Sequence, residues 1–228
     1  MSKLRVKNSS DKITVQNVYC IGKNYLEHIK EFDAPEKSTE LPKEPIIFLK
    51  PNSAVLTNSN IVRIPKFKGK KISDNLQNEI ELVVVIGKDG VNIPETEAMD
   101  YVYGYAVGID FTLRDIQTEL KIKGLPWTLS KGFLTSAPVS EIVRKEDISN
   151  VENLNICLKI NRETKQSANT SAMIFKISYI IYYLSSVFGL KKGDIIFTGT
   201  PAGITKLNTS DKIEAEIENI GKLNVVVE

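Results

Sequence analysis

The chain has 228 residues, 42% hydrophobic and 25% charged, enough for one large domain or two small ones with a full core. Its 30 basic and 28 acidic residues leave a net charge of +2, which argues against a nucleic-acid footprint or a membrane-surface patch. The longest apolar tract, 174–190, is interrupted by Lys176, Ser178, Ser185 and Ser186, so none reaches the ~20 apolar residues of a membrane helix. Cys20 and Cys157 stand too far apart for a metal motif or a disulfide framework, and a reducing compartment, the cytoplasm, is the default. Residues 1–10 are basic, acid-free and lack a hydrophobic signal region. They read as a frayed start before the first strand. The competing reading is an organellar, mitochondrial signal.

In chain order, Ile13–Ile21 reads as a first strand and Asn24–Phe32 as a short helix. Pro45–Lys50 is a strand stopped by Pro51, and Pro65–Gln77 is a polar, basic loop. Glu79–Ile86 is a core strand closed by Gly87 and Asp89-Gly90. Pro94–Tyr101 reads as helix with its proline near the first turn. Val102–Phe111 is a long strand, and Arg114–Lys123 a helix ended by Gly124. Asn153–Ile160 and Lys165–Ala168 suggest a hairpin, and Met173–Phe188 a helix with 3.6-residue apolar spacing. Asp194–Thr198 is a strand, and Lys212–Ile217 pairs with Leu223–Val227 around Asn219–Gly221. Strands outnumber helices and do not alternate as βαβ units. The fold class expected is therefore α+β, mostly β, with a rolled mixed sheet.

Three acids carry the clearest chemical signal. Glu79 and Glu81 precede a branched apolar run, and Asp110 ends another. Strand side chains alternate, so Glu79 and Glu81 point the same way. Acids at the ends of core strands are costly unless something positive holds them, and a hard divalent cation takes such oxygens. The alternative is a solvated edge strand and a turn.

His28 is the only histidine, and Glu31 lies three residues on, so a helix places both on one face. That pair suits a general base oriented by a carboxylate; an incidental surface ion pair is the alternative. Lys131 is a candidate to stabilise an enolate or carboxylate oxygen, or a plain surface lysine. Arg114, Asp115 and Gln117 open a helix, where backbone donors favour anions. The loop Thr198-Gly-Thr-Pro-Ala-Gly203 follows a buried strand and offers hydroxyls and backbone N–H groups, but it lacks the ending of a P-loop.

Taken in order, Ile21-Gly-Lys-Asn-Tyr-Leu-Glu-His28, Phe48-Leu-Lys-Pro51, Glu79-Ile-Glu81, Gly104-Tyr-Ala-Val-Gly-Ile-Asp110, Arg114-Asp-Ile-Gln117, Gly124-Leu-Pro-Trp-Thr-Leu-Ser-Lys131 and Gly193-Asp-Ile-Ile-Phe-Thr-Gly-Thr-Pro201 resemble the fumarylacetoacetate hydrolase family, most closely its acylpyruvase/oxaloacetate decarboxylase branch. The resemblance runs from about Val18 to the C-terminus. It implies residues 1–17 as an N-terminal extension with the first strand, and 18–228 as a single catalytic domain. It implies one Mg²⁺ or Mn²⁺ held by Glu79, Glu81 and Asp110. It gives His28 and Glu31 a dyad role on a mobile lid, with Lys131 as their catalytic partner. Substrate contact falls on Gln117, Arg114, Thr198, Gly199 and Thr200. A small-molecule oxo-acid substrate and a homodimer are implied, with no nucleic acid and no membrane. The tract between Phe32 and Glu44 matches no family motif.

The chemistry expected is divalent-metal-dependent cleavage of 2-oxo and 1,3-dicarbonyl acids. Acylpyruvates such as acetylpyruvate or fumarylpyruvate would yield pyruvate and a carboxylic acid, and oxaloacetate would lose CO₂. Both routes pass through pyruvate enolate. An isomerase, tautomerase or hydratase of the same family is the second reading, and a non-catalytic oxo-acid-binding protein the third.

Overall fold

The computed structural model describes residues 2–31, 41–57 and 60–228. One sheet has six strands in the order Val143–Arg144, Val102–Ile109, Ile80–Ile86, Ile195–Phe197, Val18–Gly22, Ile46–Lys50. All its neighbours are antiparallel except Ile195–Phe197 and Val18–Gly22, which run parallel. A second sheet has five: Glu163–Asn169, Asn155–Ile160, Lys212–Ile217, Gly221–Val227 and Ile61–Val62, the last pair parallel. Four α-helices accompany them among the described residues: α1 Leu26–Lys30, α2 Arg114–Ile122, α3 Thr128–Lys131 and α4 Ile177–Val187. This is the mostly β, mixed-sheet α+β fold expected.

Every residue of Ile80–Ile86 is buried, because the strand faces a core on each side. Leu82, Val84 and Ile86 join Ile213, Ala215, Leu223 and Val225 of the second sheet in the larger core. Val83 and Val85 face a smaller core with Leu4, Val6, Val15, Cys20 and Phe197. Full burial of such a side chain stabilises by ~1.5–3 kcal/mol, which fixes the register of the strand. Glu79 and Glu81 share the parity of Val83 and Val85, so they emerge on the smaller core's side.

Some expectations need correction. Ile13–Ile21 is two strands, with Lys12–Thr14 pairing to Lys3–Arg5 and Val18–Gly22 joining the six-stranded sheet. Asp194 pins the break: its Oδ1 accepts both the backbone N–H and the Nδ2 of Asn17 at 2.9 Å. The start expected to fray forms that hairpin, with Leu4 and Val6 buried. Helix α1 is shorter than Asn24–Phe32, because Tyr25 is extended and bridges Met173. Phe32 and most of the unmatched tract lie outside the described residues. Helix α4 starts at Ile177 rather than Met173, since the Ile174 and Phe175 N–H groups donate to Asn24 instead of a helical turn. Glu95–Tyr101 is 3₁₀ rather than α. Within 65–77, Lys66–Phe67 pairs with Lys70–Lys71, and Leu76–Gln77 with Thr112–Leu113.

Candidate metal centre and active site

Strand register assembles the three acids. Glu81 lies opposite Gly108, and Ile80 opposite Ile109, so the chain beyond Ile109 runs beside Glu79. The Asp110 N–H donates to the Glu79 carbonyl at 2.8 Å. On the other flank Val83 pairs with Phe197, which brings Gly199 to Glu81, and its N–H donates to Glu81 Oε2 at 2.6 Å. One oxygen from each of Glu79, Glu81 and Asp110 lies within 4.8 Å of the others, and all three residues are buried.

Buried cations surround the acids. Lys131 Nζ bridges Glu79 Oε2 at 2.6 Å and Asp110 Oδ2 at 2.7 Å. Arg114 pairs with Glu79 Oε1 and donates through Nε to Gln77 Oε1 at 2.8 Å and through Nη1 to Gln117. Lys50 Nζ is 2.7 Å from Asp110 Oδ1 and donates to Ser136 Oγ at 3.0 Å. Burial drives the Glu79 carboxyl up, but Lys131 and Arg114 outweigh it and hold it well below the usual range. Burial, then the charges of Asp110 and Glu79, push Glu81 well above that range. Burial pulls the Lys131 ammonium down, but Asp110 and Glu79 raise it overall.

The residues fit a hard divalent cation. Asp110 Oδ1 pairs with Lys50 off the direction of a hydrogen bond and has no hydrogen-bond partner among the described residues. Glu81 has no ion pair among the described residues, although two acids crowd it. Three clustered hard oxygen donors, one of them on a carboxylate without an ion pair among the described residues, are what Mg²⁺ or Mn²⁺ takes.

His28 is buried on α1, and its Nδ1 donates to Glu31 Oε2 at 2.8 Å. Glu31 Oε1 accepts the Gly203 N–H at 2.7 Å, so the pair is tied to the loop after Ile195–Phe197. His28, Glu79, Glu81, Arg114, Gln117, Lys131 and Thr200 share one pocket wall. Asp110 lies behind it. Thr198 turns away from the pocket and donates its hydroxyl to the Leu82 carbonyl at 2.9 Å. Gly199 meets Glu81 rather than the pocket. Asp115, at the helix start, accepts from Ser73 Oγ at 2.5 Å and the Asp74 N–H at 3.0 Å, a loop clip.

Sequence reasoning missed several supports. Lys50 belongs to a quoted motif, and a lysine ending an apolar strand before proline was the available signal. Gln166 accepts from Asn78 Nδ2 at 2.9 Å and the Ile80 N–H at 3.1 Å, and donates to Thr200 Oγ1 at 2.9 Å. It thereby joins the strand of acids to the Thr198–Gly203 loop. Asn24 donates to the Thr198 carbonyl at 2.8 Å and the Phe175 carbonyl at 3.1 Å. Asn24 lies in the motif that carries His28, whereas Gln166 does not stand out in a linear reading.

Known proteins resemble this chain in sequence and in structure. The chain is 46% identical over 205 residues to the mitochondrial oxaloacetate tautomerase FAHD1 of Mus musculus, covering 90% of this chain and 88% of that protein. The Arabidopsis thaliana protein of the same name is 41% identical over 211 residues, covering 92% and 90%. The structure superposes on the fumarylpyruvate hydrolase of Pseudomonas aeruginosa in complex with Mn²⁺ and pyruvate, with a TM-score of 0.87, 32% identity, and coverage of 99% and 95%. It also matches a 5-carboxymethyl-2-hydroxymuconate delta-isomerase of Mycobacterium smegmatis, with a TM-score of 0.80, 29% identity, and coverage of 94% and 79%. These relatives are enzymes. With the fumarylacetoacetate hydrolase C-terminal family model matching residues 17–228, the chain belongs to the fumarylacetoacetate hydrolase family.

Proposed function

We propose that the protein is a divalent-metal-dependent enzyme that interconverts the keto and enol forms of oxaloacetate. One observation carries the reading: a Glu79–Glu81–Asp110 cluster sits beside a buried lysine, and the Glu31-bound imidazole of His28 lines the same pocket. The relatives named oxaloacetate tautomerase, at 41–46% identity, support that substrate. Glu79, Glu81 and Asp110 would hold Mg²⁺ or Mn²⁺. When bound, the cation supplies Lewis-acid polarisation of the keto group. His28, oriented by Glu31, takes a proton from C3 of the oxo acid. The C–H electron pair becomes the C2=C3 bond, and negative charge moves to the C2 oxygen. Lys131 stabilises that oxygen until the protonated His28 returns the proton to it, which completes the enol. Gln117 and Arg114 orient the substrate, and Thr200 bounds it from the Thr198–Gly203 loop.

A second reading is favoured by the same His28–Glu31 pair and by the Mn²⁺–pyruvate complex of the fumarylpyruvate hydrolase. There the pair activates water against the distal acyl carbonyl of an acylpyruvate, and pyruvate enolate leaves. Oxaloacetate decarboxylation yields the same enolate without a base. The unit of activity in this proposal is residues 18–228, working as a homodimer in a reducing compartment. The mitochondrial address in the relatives' names makes the mitochondrion the alternative to the cytoplasm. No helix of the described residues is long and apolar enough to cross a membrane. The test is a Mg²⁺ and Mn²⁺ substrate panel. It follows the enol absorbance of oxaloacetate and pyruvate release from oxaloacetate, acetylpyruvate and fumarylpyruvate. Enol–keto exchange faster than either release supports the tautomerase. Dominant pyruvate release from an acylpyruvate replaces it with the hydrolase.

A further inference from the structure

Backbone groups fix the direction of the Gln166 amide. The Thr205 N–H donates to Asn78 Oδ1 at 3.2 Å, which turns Asn78 Nδ2 toward Gln166 Oε1 at 2.9 Å. The Ile80 N–H donates to the same Oε1 at 3.1 Å. Gln166 Nε2 therefore faces the other way. One of its N–H groups donates to the Pro201 carbonyl at 2.8 Å and the other to Thr200 Oγ1 at 2.9 Å. A backbone N–H only donates and a backbone carbonyl only accepts, so neither amide can flip without breaking these bonds. Gln166 is fully buried, and both its N–H groups and both its acceptor positions are used.

The consequence falls on Thr200. Its oxygen accepts from Gln166, so its own hydroxyl proton points elsewhere. Thr200 borders the pocket with His28, Arg114 and Lys131. Thr198, two residues earlier, instead gives its proton to the Leu82 carbonyl. The loop holds the Thr200 side chain still. Asn24 Nδ2 donates to the Thr198 carbonyl at 2.8 Å, the Gly199 N–H to Glu81 Oε2 at 2.6 Å, and Pro201 is tied to Gln166. A β-branched side chain on so fixed a backbone has few rotamers to choose from.

We propose that Gln166 is a positioning residue: it fixes Thr200 as a hydrogen-bond donor, and the Thr200 proton meets a carboxylate oxygen of the bound 2-oxo acid. This role rests on the 2-oxo acid reading above and adds the residue, on the second sheet, that orients one of the substrate contacts. A donor aimed in advance needs no reorganisation when the anion arrives. A hydrogen bond to a charged acceptor is also the stronger kind.

The test is calorimetric. Mn²⁺-loaded wild type and variants are titrated with pyruvate, and the Mn²⁺ affinity and denaturant melt of each are measured alongside. Thr200→Val keeps the shape and removes the proton, so pyruvate affinity should fall ~10-fold, the scale of one hydrogen bond to a charged group. Thr200→Ser should keep it. Gln166→Glu keeps the size and replaces the N–H groups facing Thr200 with an oxygen. As a neutral acid its one proton goes to the Pro201 carbonyl, and that oxygen accepts the Thr200 proton and draws it from the pocket. Pyruvate affinity should fall to a similar degree, and the double variant Gln166→Glu/Thr200→Val should lose no more than Thr200→Val alone. If Gln166→Glu does not fold, Gln166→Met takes its place, with the same non-additivity expected. Wild-type affinity in Thr200→Val overturns the proposal. So do additive losses in the double variant, which would make Gln166 purely structural. So does a Mn²⁺ affinity that falls in step in Thr200→Val, which would give the proton to the acids. A wild type that binds no pyruvate overturns the 2-oxo acid reading itself.

Discussion

Glu31 spans His28 and Gly203: one carboxylate oxygen meets His28 Nδ1 at 2.8 Å and the other accepts the Gly203 N–H at 2.7 Å. The base and the loop beside the acids are therefore one mechanical unit. His28→Ala should lower keto–enol exchange and acylpyruvate hydrolysis by ~10²–10⁴-fold, the usual contribution of a general base. Oxaloacetate decarboxylation, which needs no base, should fall far less. Steady-state kcat/KM on the three reactions decides it. Equal losses in all three would mean that the pair acts only by closing the pocket.

Lys50 is buried and compensates Asp110 at 2.7 Å. Lys50→Met leaves a buried carboxylate short of one positive charge. The expected cost is ~3–5 kcal/mol in metal-free urea unfolding. Saturating Mn²⁺ should restore part of it, because an ion bound only by the folded state stabilises that state. An equal cost with and without Mn²⁺ would separate Lys50 from the metal centre.

Gly108 lies opposite Glu81 on the strand leading to Asp110. A Cβ there would meet Val83 Cγ2 at 2.5 Å and Phe197 Cε1 at 2.6 Å. Gly108→Ala should destabilise by ~1–3 kcal/mol through overpacking. It should also weaken Mn²⁺ binding by displacing Asp110. A melting temperature matching wild type would show that the sheet absorbs the methyl group freely.

Asn24→Ala removes the partner of the Phe175 N–H at 2.7 Å and of the Phe175 and Thr198 carbonyls. Each orphaned buried group costs ~1–3 kcal/mol. Lys23 and the His28 helix flank Asn24, so KM should rise along with the loss of stability seen in denaturant melts. A destabilised variant with unchanged KM would confine Asn24 to the fold.

The acids were legible because strand alternation is a local rule: Glu79 and Glu81 share the face of Val83 and Val85 whatever packs against them. The core strands were legible for the same reason. Long-range partners were not. The break after Thr14 depends on Asp194, and the late start of α4 depends on Asn24, each far away in sequence. Gln166 looks like any polar hairpin residue, yet it is fully buried and ties Ile80 to Thr200. Thr198 and Thr200 look equivalent in the chain, and only the register of the strand before them turns one hydroxyl to Leu82 and the other to Gln166.

The metal centre is the claim on which the rest depends, and Mn²⁺ binding followed by electron paramagnetic resonance tests it most directly. Chelator-stripped protein should take up one Mn²⁺ per chain. Glu81→Gln and Asp110→Asn should each lose that binding by 100-fold or more while staying folded, the upper end of the ~10–100-fold that supporting residues alone are worth. Wild-type uptake by both variants, or full activity in the stripped protein, would contradict the account.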